Sequence, residues 1–280
     1  MSNKDFQNGF ALGYASGGVV EVIDTTEIDN LENLIDESGV LEDTEGTVAE
    51  KVGELIDKAE ELDTFMCIRG ASQLFYTSNT FPSKAVVNLP NATNVYQAFA
   101  YWNTEPIPIV EELTVNAPNI NVNNNQSCMG QMFHYNYGVK KVVLNMPDEV
   151  QYMYATFGNT PNLEEVVLNF ITKNIIQYNT AFKCPKLKRI IGVLDFSSAT
   201  AVTNMFINCN SLEEVRFEPN TLSLSISLSS SSELTNESIQ SIIDGLATVE
   251  TAQTLTLNSA IVLTDEQKAT INAKGWTLAQ

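Results

Sequence analysis

A phenylalanine recurs along the middle of the chain at Phe99, Phe133, Phe157, Phe182 and Phe206, at intervals of 34, 24, 25 and 24 residues. Five or six residues behind each of the last four, an apolar residue opens a short run. The runs are Val139-Lys-Lys-Val-Val-Leu-Asn, Leu163-Glu-Glu-Val-Val-Leu-Asn, Leu187-Lys-Arg-Ile-Ile and Leu212-Glu-Glu-Val-Arg-Phe. The longer first unit gives Val110-Glu-Glu-Leu113-Thr-Val-Asn, and a fainter Val86-Val-Asn-Leu-Pro opens the series. Each run predicts a short strand. One strand and one return segment cannot bury their apolar face alone. Stacked on neighbours, they enclose Leu, Val and Phe in a continuous core and align their strands as a parallel sheet.

The period lies in the range of leucine-rich repeats. Residues 65–230 are therefore expected to form an α/β repeat solenoid with a parallel sheet. Small polar or thiol residues follow the Phe at Asn159, Cys184, Asn208 and Cys209, where they can bond backbone left open at the turn. Lys188-Arg189 stands where two neighbouring units carry Glu164-Glu165 and Glu213-Glu214. The pair thus reads as free to change sign, and the repeat as a packing instruction. The insertion APNINVNNNQSC in the first unit predicts a projecting loop.

Other patterns flank the array. Leu222, Leu224, Ile226 and Leu228 alternate with Ser, as in a half-buried strand. Residues 231–280 read as a βα cap. Thr235 opens a helix that runs to about Leu246, and Thr254-Leu-Thr-Leu-Asn is a strand. Thr264 and Gln267 form a capping box, Gly275 ends that helix, and Trp276 packs back on it. Such atypical ends close a stacked core. Upstream, Ile28, Leu31 and Ile35, then Val48, Val52, Leu55 and Leu62, mark a narrow apolar seam on two short helices over residues 25–64. Each helix is too short to stand alone. Parallel self-association into a coiled-coil stalk, as a homotrimer, is the favoured reading; a helical hairpin on its own domain is the alternative. Residues 1–24 are glycine-rich with scattered Phe, Leu, Tyr and Val. They read as a disordered leader or as an anchor that orders on a larger assembly.

Charge changes the picture of partners. The chain of 280 residues carries a net charge of −19. Nucleic acid and anionic membrane surfaces are disfavoured. From Thr25 to Asp63 there are 14 acids against Lys51 and Lys58, a net of −12. That asymmetry sets the stalk apart. No signal peptide opens the chain, and no run of about 18 apolar residues predicts membrane insertion. The four cysteines are scattered and none forms a Cys-x-x-Cys pair, so neither a disulfide framework nor a zinc site is expected.

Candidate chemistry is sparse. His134 is the single histidine, which leaves no triad, no His-based metal site and no paired acid–base work. The Glu pairs follow the repeat, as a solvated surface does; paired catalytic carboxylates would break it. No catalytic, cofactor-binding or metal-ligating residue is assigned, and no enzymatic activity is expected. Aromatics gather in the early repeats at Tyr101, Trp102, Tyr135, Tyr137, Tyr152 and Tyr154. They are either core and turn residues or a ridge that holds sugar rings or a protein partner.

Ala181-Phe-Lys-Cys-Pro-Lys-Leu-Lys-Arg-Ile and Met205-Phe-Ile-Asn-Cys-Asn-Ser-Leu-Glu-Glu-Val resemble BspA-type leucine-rich repeats over roughly residues 86–220. The closing LTDEQKATINAKGWTLA resembles the tail of prophage-encoded repeat proteins. FQNGFALGYASGG with the acidic helices resembles the N-terminal part of structural proteins of phages that infect Firmicutes. These resemblances imply a virion fibre or tail-associated protein, anchored to the particle by its N-terminus. Its repeat domain would bind a host-surface glycan or protein. Two alternatives are a structural capsid or baseplate decoration protein without a receptor, and a bacterial BspA-like surface adhesin. The missing signal peptide counts against the adhesin.

Overall fold

The computed structural model describes residues 11–15, 18–24, 84–89, 92, 94–100, 109–120 and 129–280, the first two stretches as backbone strands. The seam residues Ile28, Leu31, Ile35, Val48, Val52, Leu55 and Leu62 lie outside the described residues. So do Tyr101 and Trp102.

Of the six repeat runs, the Leu212 run makes only isolated bridges, Glu214 with Arg189 and Phe217 with Leu194. The other five become strands β3 (Lys84–Asn88), β4 (Glu112–Asn116), β5 (Lys141–Asn145), β6 (Glu165–Leu168) and β7 (Arg189–Ile191). They pair in parallel, each unit on the next, with equivalent residues in register: Glu112 on Lys84, Val142 on Leu113, Glu165 on Lys141, Arg189 on Glu165. Alternate residues point inward, so β4 and β5 share a half-buried/buried alternation that sends Leu113, Val115, Val142 and Leu144 into the core. Residues expected as a leader include β1 (Ala11–Ala15) and β2 (Gly18–Asp24), an antiparallel hairpin. β2 pairs antiparallel with β3 and so continues the sheet at its otherwise open edge.

The recurring Phe side chains form one buried column. Ring centroids step by 5.0, 5.4, 5.7 and 5.8 Å from Phe99 through Phe133, Phe157 and Phe182 to Phe206, with planes within 13° of parallel. All five rings are fully buried. A side-chain donor in each following unit bonds the carbonyl oxygen of the preceding Phe. Asn136 Nδ2 donates to Phe99 at 2.8 Å, Thr160 Oγ1 to Phe133 at 2.8 Å, Cys184 Sγ to Phe157 at 2.9 Å, and Cys209 Sγ to Phe182. The two cysteines thus occupy the expected ladder positions, but Asn159 and Asn208 do not. Those residues sit one position earlier, at positive φ, and leave the buried position to Thr160 and Cys209.

The return segments are ribbons of successive turns. Two residues before each Phe the backbone is left-handed, at Gln97, Gln131, Ala155, Thr180 and Asn204, with φ of 55, 54, 49, 53 and 54°. Such a conformation costs a non-glycine residue roughly 1–2 kcal/mol. What holds it is a second intercoil ladder of backbone bonds. Phe99, Phe133, Phe157 and Phe182 N–H groups donate to Met132, Thr156, Ala181 and Met205 in the next unit at 2.7–3.0 Å. The residues between them close turns within their own unit, as in His134 N to Gln131 O and Gly158 N to Ala155 O.

Beyond the array the chain builds a second sheet from β8 (Ile226–Leu228), β9 (Gln253–Leu257) and β10 (Trp276–Ala279), all parallel. α1 (Asn236–Gly245) joins the first pair and α2 (Asp265–Ala273) the second. The Leu/Ser alternation yields a strand of only three residues, and that strand belongs with the cap. Helix α1 covers the last edge of the first sheet: Val215 N–H donates to Ser238 Oγ at 3.1 Å and Phe217 N–H to Ser241 Oγ at 3.0 Å. Ser238 Oγ also donates to Glu213 O at 2.9 Å. The capping box of Thr264 and Gln267 is present, and Trp276 is buried with its Nε1 donating to Ala247 O at 2.8 Å. Among the described residues no helix is long and apolar enough to cross a membrane.

Candidate recognition surface

Stacking gives the array two unlike faces. On the sheet face the residues that open each strand form a charged row. In chain order the pairs are Glu111-Glu112, Lys140-Lys141, Glu164-Glu165, Lys188-Arg189 and Glu213-Glu214. The sign alternates at every step. Lys140 meets Glu111 at 2.7 Å, Lys141 meets both Glu112 at 2.8 Å and Glu165 at 3.4 Å, Lys188 meets Glu164 at 3.2 Å, and Arg189 meets Glu165. The pair does change sign between units, and from Glu111 to Arg189 each change places it against opposite charges in a neighbouring unit. The Glu111, Glu112 and Glu165 partners raise the Lys140, Lys141 and Arg189 pKa values, chiefly by direct side-chain hydrogen bonds. At the other end of the strands an amide ladder runs Asn169 to Asn145 at 2.8 Å, Asn145 to Asn116, and Asn116 to Asn88 at 2.5 Å.

The return face is different. The turn segments 94–100, 129–137, 152–160, 177–183 and 201–209 contain no Asp or Glu, although the chain has 34. Their one lysine is Lys183. His134 is held below its usual pKa by burial and then by the Lys183 charge, so it is neutral at pH 7. Its Nε2 lies 3.2 Å from Asn159 Nδ2, and its ring leans on Tyr135 at 4.3 Å.

Of the aromatic residues expected to gather, the structure exposes Tyr135 (37 %) and Tyr154 (39 %) on adjacent units of this face. Tyr137 and Tyr152 are half-buried. Tyr152 bridges to Gln177 in the next unit, as a turn residue does. Tyr96 was missed. It stands three residues before Phe99, as Tyr154 stands three before Phe157, and that spacing was the signal.

A third feature lies where the sheet meets α1. Ile190 N–H bonds Glu214 O and Leu194 N–H bonds Arg216 O, so four steps of one chain oppose two of the other. The bulge passes through Gly192 at φ 121°, where an added Cβ would lie 2.9 Å from Leu168 O. It opens a cleft of about 630 Å³ lined by Ile191, Val193, Glu214, Arg216 and Glu237. Among the described residues no three His, Cys, Asp or Glu side chains converge to hold a metal ion.

Comparison with family models, with curated proteins and with solved structures finds no match.

Proposed function

We propose that the chain is a non-enzymatic recognition protein, a BspA-type leucine-rich-repeat solenoid carried on a phage particle as a fibre or tail-associated component. The N-terminal segment would anchor it to the virion. The acidic helices would join three chains into a stalk, and the repeat array would meet a glycan or protein on the host surface.

One observation carries the reading. The residues that repeat are consumed by internal bonding: the Phe column, the donors to Phe carbonyls, the alternating charges and the amide ladder. The exposed rings of Tyr135 and Tyr154 occupy positions that other units fill with Asn159 or Asn179. A scaffold whose invariant positions face inward leaves its variable outer positions for a partner.

The test uses the fluorescently labelled full chain on a panel of Firmicutes cells, with phage adsorption measured in parallel. Labelling of a strain-specific subset, with reduced adsorption to the same strains, is the expected result. A chain that labels no strain and leaves adsorption unchanged would overturn receptor binding and favour a decoration protein.

A further inference from the structure

We infer that the return face holds a binding site for a neutral, pyranose-containing glycan, centred on Tyr96, Tyr154 and the amide of Gln131. The inference rests on the recognition reading above and names the ligand class that the face would accept.

Position comes first. Gln97 N–H donates to Gly130 O and Gln131 N–H to Tyr154 O, so Tyr96, Gly130 and Tyr154 occupy one row across three stacked units. The middle member has no side chain. Tyr96 Oη donates to Gln131 Oε1 at 3.2 Å, which carries the phenol toward the neighbouring unit over the glycine position. Gln97 Nε2 donates to the same oxygen at 2.6 Å. The ring and the two amides are therefore fixed before any ligand arrives, which lowers the entropic cost of binding. Tyr154 stands one unit beyond and is exposed. Two unit steps, 5.0 and 5.4 Å along the neighbouring Phe column, separate the two tyrosine positions.

Chemistry selects the ligand. A sugar ring offers a face of C–H groups that packs on an aromatic ring, and hydroxyls at its edge that need amide donors and acceptors. The row supplies two aromatic rings, with Gln97 beside Tyr96, Gln131 in the unit between them, Asn159 in the unit of Tyr154 and Asn179 in the unit after it. A polyanionic glycan would find Lys183 as the only cation of these turn segments, on a chain of net charge −19. A protein interface of ordinary make-up would add Arg and a charged rim. On the sheet face, by contrast, the strand-opening charges are paired with each other.

The experiment uses the full chain with three neutral polymers (dextran, mannan and galactan), with wall teichoic acid as the polyanion, and with the cell panel. Ligand-detected NMR and calorimetry should show binding to at least one neutral polymer and none to teichoic acid. Tyr154→Ser, at an exposed position, should weaken that binding at least tenfold with an unchanged melting temperature. Ile191→Ser on the sheet face should leave it unchanged. Cell labelling without neutral-polymer binding, or labelling abolished by protease treatment of the cells, would overturn the glycan site and leave the recognition reading standing. Binding to teichoic acid alone, or full binding by Tyr154→Ser, would also overturn it. Failure to bind any polymer or any cell would overturn both.

Discussion

Thr180 holds φ at 53° with a β-branched side chain, a combination that left-handed backbone disfavours. The equivalent residue one unit later is Asn204, at 54°. Asn tolerates that conformation through its short polar side chain. Thr180→Asn should therefore raise stability by about 0.5–1 kcal/mol, read as a rise of a few degrees in melting temperature. The thiols make a second residue-scale case. Burial, and then the neighbouring Cys209, push Cys184 well above the ordinary thiol pKa, and burial pushes Cys209 up to about 12. Both thiols stay protonated and unreactive in the folded chain. A thiol of raised folded pKa contributes stability that is whole below its unfolded pKa, near 9, and is lost as pH climbs towards about 12. Native protein at pH 8 should leave Cys184 and Cys209 unlabelled by iodoacetamide over hours and react at both on denaturation. Melting temperature should fall as pH rises through that window.

Among elements, the parallel strands and the cap helices were legible because their signals are local. Apolar alternation, Thr235, and the Thr264–Gln267 capping box each act within a few residues. The return ribbon was not legible, since left-handed Gln97, Gln131 and Thr180 carry no Gly or Asn signature and are held by bonds to other units. The sign alternation was hidden for a related reason. Lys140-Lys141 and Glu164-Glu165 gain meaning only once register places one above the other. Slipping one unit would set like charges face to face, so the row fixes register more than it adds stability. Lys141→Glu should make Glu112, residue 141 and Glu165 a run of three acids. It should cost about 1–2 kcal/mol in low salt. Urea titration should show that loss shrinking in 1 M NaCl, where the screening length is about 3 Å. A penalty that does not respond to salt would contradict the electrostatic account.

Across the repeat array the two faces differ: one carries a row of paired charges, the other has turn segments free of acids, with one lysine, several amides and exposed tyrosines. Tyr135 and Tyr154 of that second face were read from the sequence, and Tyr96 was legible there too, through its kinship to Tyr154 once the units are aligned on the Phe. In the proposed stalk, multiplicity would belong to the acidic helices. Light scattering should give a trimer for the full chain and a monomer for the full chain with Leu31→Asp and Leu55→Asp. A trimer in both would place the association elsewhere. The division between faces is tested most directly by hydroxyl-radical footprinting of the full chain on host cells that it labels, against the free chain. The account predicts protection of Tyr96, Tyr135 and Tyr154, with Ile191 and Val193 on the sheet side unchanged. Protection confined to Ile191 and Val193, with the three tyrosines as reactive as in the free chain, would contradict it.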